Sequence, residues 1–203
     1  MQTRAAPVAP GEFRRLNLRA HDLLRDVPLH DAWAVDLPTR ESGLTLADVH
    51  AVERAGGTKL PGGALTRLLF GLRLAIGKVF HWDGGPSSRD LPASSYAHRL
   101  SADDVQRSRL PAGTPDGPFR VLYAFDGESV AEIINATVHA FLCAALVPTE
   151  GGYRLYWGVY VKPVNRWTST YMALIAPFRR YIVYPSILGG LRREWIRRHG
   201  VAA

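Results

Sequence analysis

The stretch YRLYWGVYVKPV, residues 153–164, narrows the folds open to this chain more than any other. Aromatic and β-branched side chains crowd the preceding turn of an α-helix but pack well on a pleated sheet, so these residues predict a strand. FRVLYAFDGES, residues 119–129, predicts another, because Phe119, Val121, Tyr123 and Phe125 recur with period two and the run stops at an Asp-Gly turn. DAWAVDLP, residues 31–38, sets Trp33 and Val35 among polar or small neighbours and ends at Pro38, which suits a short strand. SSYAHRLS, residues 94–101, also has period two, with Tyr96 and His98 on one side.

Other segments follow the helical period. TLADVHAVERAGG offers a Thr45 cap, apolar residues at Leu46, Val49 and Val52, and a Gly56-Gly57 stop. ALTRLLFGLRLAIGKVFHWDGG, residues 64–85, predicts a second helix on the spacing of Leu65, Leu68, Leu69, Leu72, Ile76 and Val79. The segment between Asp104 and Gly117 is expected as a loop with a helical turn. After Val164, Tyr171, Leu174, Ile175 and Phe178 form an apolar stripe expected to face a sheet rather than a membrane, on a helix that Pro177 and Pro185 should kink or divide.

The segment EIINATVHAF, residues 132–141, is ambiguous. As a helix it lines up Glu128, Glu132, Asn135 and His139 in one polar stripe. Its β-branched density favours a strand, with Asn135, Thr137 and His139 on one face, Glu132 on the other, and a bulge near Asn135-Ala136.

Composition bounds the rest. A chain of 203 residues, 47% hydrophobic, can bury a real core. The simplest division is a flexible basic N-terminal arm, residues 1–28, followed by a single domain over 29–203. The lone Cys143, inside FLCAALV, excludes a disulfide framework. The net charge of +7 comes from scattered arginines and a basic helix end, LRREWIRRH, with no nucleic-acid-binding signature to organise them. No apolar run has the length of a secretory signal or a membrane span, so the expectation is a soluble, cytoplasmic protein without stable membrane insertion. There is no His-Glu-x-x-His, no cysteine cluster, no Gly-x-Ser-x-Gly and no Gly-x-Gly-x-x-Gly, and neither a metal nor a nucleotide cofactor is expected.

The predicted order is strand, two helices, several antiparallel strands and a C-terminal helix. That order, together with LLFGLRLAIGKVFHWD, FRVLYAFD, RLYWGVYVKP and PFRRYIVYP, resembles a bacterial family of unknown function within the START-like, polyketide-cyclase-like helix-grip superfamily. Members of that family occur alone or behind an NAD(P)-binding domain of the short-chain dehydrogenase type. The resemblance spans about residues 30 to 198. It implies an α+β fold whose antiparallel sheet wraps the C-terminal helix around a cavity.

Such a cavity is mainly apolar with a few orienting polar groups. The candidates to line it are Asn135, Thr137, Trp33, Tyr96, His98 and Tyr123, with Tyr156 and Tyr160 or Trp157 depending on register. His139 is placed either as a general acid or base, with Glu132 as its partner, or as a core histidine satisfied by hydrogen bonds. Two functions follow on this reading: binding of a hydrophobic or aromatic small molecule, or its cyclisation, dehydration or isomerisation by acid-base chemistry. A membrane-surface or partner-binding module is the alternative, and a homodimer stays open.

Overall fold

The computed structural model describes residues 5–55, 94–134, 138–164, 166 and 168–200, without the side chain of Tyr171. The second predicted helix, residues 64–85, lies outside them.

The alternating segments assemble into one antiparallel sheet, ordered β1-β2-β7-β6-β5-β4-β3. Its strands are β1 (Ala6–Pro7), β2 (Leu29–Pro38), β3 (Pro115–Asp116), β4 (Phe119–Ala124), β5 (Glu128–Ile134), β6 (Val138–Thr149) and β7 (Gly152–Pro163). β6 and β7 form a tight hairpin in which Thr149 pairs with Gly152. Gly152 sits at φ 132°, and a Cβ there would lie 2.5 Å from the Leu37 carbonyl oxygen, so the close approach of β2 demands glycine.

Alternation along each strand separates two faces, and both are covered. On the first, α3 (Leu46–Ala55) and the C-terminal α6 (Tyr184–His199) bury Val49, Val52, Leu188, Leu191 and Trp195 against Val35, Leu37, Leu146 and Leu155. The 3- and 4-residue spacing of those helix positions makes each helix amphipathic, and each such side chain contributes about 2 kcal/mol on burial.

On the second face lie α1 (Pro10–Arg14), α2 (Arg19–Leu23) and a 3-10 turn over Tyr96–Arg99. Phe13, Leu23, Leu24, Val27 and Tyr96 pack there on Tyr123, Val130, Phe141 and Cys143. Residues 5–28 are therefore not the flexible arm expected from composition. Phe13 is fully buried, β1 extends the sheet beyond β2, and Arg19–Asp104 (2.9 Å) and Arg99–Asp26 ion pairs fasten this layer.

Two further expectations change. SSYAHRLS is not a strand: the Ser95 hydroxyl accepts from the Ala97 N–H at 3.1 Å, a local bond that competes with a ladder and starts the turn at Tyr96. The helical turn expected after it is α4 (Ala102–Arg107), held by a reciprocal capping box between Ser101 and Asp104. At the C-terminus the prolines do not divide the helix. α5 (Thr168–Phe178) passes into a π turn over Arg179–Val183 and on into α6. The wider turn takes up the misfit where Pro185 cannot donate to the Tyr181 carbonyl. Nor does the whole apolar stripe face the sheet. Ile175 packs with Met172, Val138 and Val161, but Leu174 is 57% exposed because α5 meets only the end of the β6–β7 hairpin.

Candidate functional site

EIINATVHAF is not one strand. Ile134 ends β5 and pairs antiparallel with His139 near the start of β6, while Asn135, Ala136 and Thr137 lie outside the described residues. The pairing puts Glu132 and His139 on the same face, opposite to the separation expected from counting along a continuous strand. His139 Nε2 lies 2.9 Å from Glu132 Oε2, with both side chains buried. The same carboxylate accepts from the Ser95 hydroxyl and from the Tyr96 N–H at 3.1 Å. Tyr96 sets its edge on the imidazole at 5.2 Å, and Phe141 lies 4.3 Å from it. This network clips the Tyr96 turn onto the β5–β6 hairpin. It occupies the face covered by the N-terminal helices, not the face crossed by α6.

The other predicted lining residues divide in the same way. Tyr123, Tyr156 and Tyr160 share the Glu132–His139 face, and each hydroxyl has an internal partner. Tyr123 donates to Glu128 at 2.5 Å, Tyr156 donates to Glu12 at 3.1 Å, and Tyr160 lies 3.0 Å from His21 Nδ1. Burial pushes all three phenols above their ordinary pKa, so none ionises near neutrality. Glu128 also accepts from the Arg19 and Ala20 N–H groups, which fastens the start of α2. His98 is exposed, with Nδ1 2.6 Å from the Ser95 carbonyl oxygen. Trp33 and Trp157 point to the α6 face, where Trp33 packs on Tyr184 at 5.4 Å.

Among the described residues of the predicted set, Trp157 alone lines the cavity between that face, α3 and α6. The space is about 320 Å³. Its floor comes from register: Trp157 pairs with Ala144 and Ala144 with Ser129, and one pleat along Leu142 pairs with Ala131. Three small side chains in adjacent strands form the floor, while Val49, Ile187 and Leu191 wall the space. A second hollow of about 480 Å³ shares His50, Glu53, Arg54, Asp116, Ser129 and Ala131 with it and extends towards Val121 and Phe125.

His50 and Glu53 lie one turn apart on α3, with Nδ1 and Oε2 at 3.1 Å. The hydrogen bond to Glu53 raises the His50 pKa; burial opposes the rise and the charges of Glu53 and Asp116 add to it. The site thus has an apolar floor and a titratable mouth. Sequence reasoning passed over these residues, although the i, i+3 spacing in the helical run LADVHAVERA was visible.

A further polar cluster ties α6 to β2. Asp31 is buried and pairs with Arg180 at 2.9 Å and Arg179 at 3.2 Å, and it accepts from the Tyr184 hydroxyl at 3.3 Å. Burial alone would raise its pKa. The hydrogen bond with His30 and the two guanidinium charges outweigh that and hold it below the ordinary value. Among the described residues, no three His, Cys, Asp or Glu side chains converge as a metal site, and no helix is long and apolar enough to cross a membrane.

A family model described as "Protein of unknown function (DUF2867)" matches residues 23–186, most of the chain. The chain belongs to that family. The DUF2867 match takes in β2 to β7, α3 and α5, and with them His50, Glu53, Trp157 and the Glu132–His139 pair. It leaves Phe13 and the buried residues Leu188, Leu191 and Trp195 of α6 outside. Comparison with curated proteins and with solved structures gave no match.

Proposed function

We propose that this protein has a START-like helix-grip fold and binds a hydrophobic or aromatic small molecule between its sheet and C-terminal helix. The strand order supports the fold: the first long strand pairs with the last, the intervening strands follow by antiparallel neighbours, and α6 crosses the sheet. One observation carries the function, the cavity floored by Ser129, Ala131 and Ala144 beside Trp157. Among the described residues no side chain fills this space, and an unfilled void forfeits packing contacts on every side. The volume is at the lower end for small-molecule sites, and the indole offers a stacking face.

His50 with Glu53 is the pair placed to move a proton on a bound ligand. A histidine whose pKa is raised donates near neutral pH, and it opens onto the cavity. Glu132 and His139 have no part in this reading, since their hydrogen bonds are already made on the opposite face.

Native mass spectrometry of protein purified from its host tests the proposal, supported by titration with the apolar fluorophore 1-anilinonaphthalene-8-sulfonate. A retained small molecule, or saturable binding lost at least tenfold in Ala144→Leu with the melting transition intact, is the expected result. An apo mass together with no saturable binding overturns it. If the retained molecule is turned over, His50→Gln should stop turnover while leaving affinity within roughly tenfold, since an amide keeps hydrogen bonding but exchanges no proton near neutrality.

A further inference from the structure

The outward side of α5 and the π turn is the reverse of an ordinary protein surface. Ala173, Leu174, Pro177, Arg180, Tyr181 and Ile182 are all exposed there, and Arg180 alone carries a charge. Leu174 is 57% exposed, Tyr181 81% and Ile182 41%, and they stand on one side of a continuous helical run. The inward side of the same run is satisfied: Met172 and Ile175 pack on Val138 and Val161, and Asp31 holds both arginines of the π turn. The exposed stripe is therefore not a misplaced core face.

Charge narrows what can cover it. From residue 151 to residue 193 the chain has no aspartate or glutamate, against one lysine and six arginines. Arg154 pairs with Glu12 and Asp36, and Arg179 and Arg180 share Asp31, which leaves the segment with a net positive charge. An apolar and aromatic stripe on a helix within such a segment matches an anionic bilayer, where the rings sit at headgroup depth and cations face acidic lipid.

We propose that the outward face of α5 and the π turn docks the protein peripherally on an anionic lipid surface, with Leu174, Tyr181 and Ile182 entering the headgroup layer and the excess basic charge of the surrounding segment drawn to acidic lipid. The stripe covers only about two helical turns, so it reaches the interface and does not span. This inference stands independently of the cavity.

Flotation of the full chain with phosphatidylcholine vesicles, with and without 30% phosphatidylglycerol, tests it. The expected result is binding to the anionic vesicles that weakens roughly tenfold or more in Leu174→Ser/Tyr181→Ser and, separately, when NaCl is raised to about 0.5 M, which shortens the screening length to about 4 Å. Both substituted side chains are exposed, and an unchanged melting transition would show that the double variant still folds. Three outcomes overturn the proposal: no binding to anionic vesicles; binding that the double variant leaves unchanged, which assigns attraction to the basic helix end instead; or a dimer in sedimentation that the double variant dissociates while vesicle binding is absent, which assigns the stripe to a second copy of the chain.

Discussion

The buried Glu132 carboxylate receives hydrogen bonds from the half-buried Ser95 hydroxyl, the Tyr96 N–H and His139. Glu132→Ala leaves the Tyr96 N–H and the His139 imidazole buried and unpaired, each at a cost of about 1 to 3 kcal/mol, so a loss of about 2 kcal/mol or more is expected. A lowered urea midpoint at constant denaturant slope would register it. Asp31 carries a similar burden with opposite neighbours. Asp31→Asn leaves the buried Arg179 guanidinium without its carboxylate and should cost about 3 kcal/mol at pH 7, with little added by the half-exposed Arg180. Because the folded pKa of Asp31 is depressed, its contribution is present above the unfolded value of about 3.9 and is lost as pH falls through the folded one. The stability gap between Asp31→Asn and the unsubstituted protein should therefore shrink on acidification below about pH 4. A gap that widens there would contradict the pairing.

Between neighbouring elements, Gly158 shows how closely α1 rests on the sheet. A Cβ at that position would meet the Phe13 ring at 2.4 Å, so Gly158→Ala must shift a fully buried aromatic and should destabilise by about 1 to 3 kcal/mol. Phe13→Leu in the same chain should recover part of that loss, which a double-mutant cycle measures as coupling. β7 was legible in the sequence because aromatic and β-branched residues run its whole length, and β4 because period two persists along it. The five-residue helix α1 was not: at that length no periodicity accumulates, and its formation rests on Phe13 meeting the sheet. The hairpin between Ile134 and Val138 was hidden for a different reason. Its pairing joins Ile134 to His139, so side chains of even number on β5 share a face with those of odd number on β6, and counting along one strand assigns the wrong side. The same inversion hid that Glu132 and His139 share a face, and His50, which lines the space under α6 beside the predicted Trp157, was not among the candidates.

For the whole molecule, the sheet needs both of its covers. Phe13, Leu23, Leu24 and Val27 together bury side chains worth on the order of 6 to 12 kcal/mol before entropy, comparable with the entire margin of a domain this size. Removal of residues 1–27 should therefore abolish cooperative unfolding, read as a broad, featureless thermal transition in place of a single step. The pairing of β2 with β7 carries a further consequence. Leu29 meets Tyr160 and Pro38 meets Gly152, partners more than a hundred residues apart, and β7 is also the strand that β6 needs. During vectorial synthesis at about 5 to 20 residues per second, β2 waits several seconds with the edge that will meet β7 unpaired. Closure of the sheet thus waits for β7. Ribosome-arrested fragments released before residue 152 should remain protease-sensitive, and a nascent-chain holdase has a defined interval in which to act.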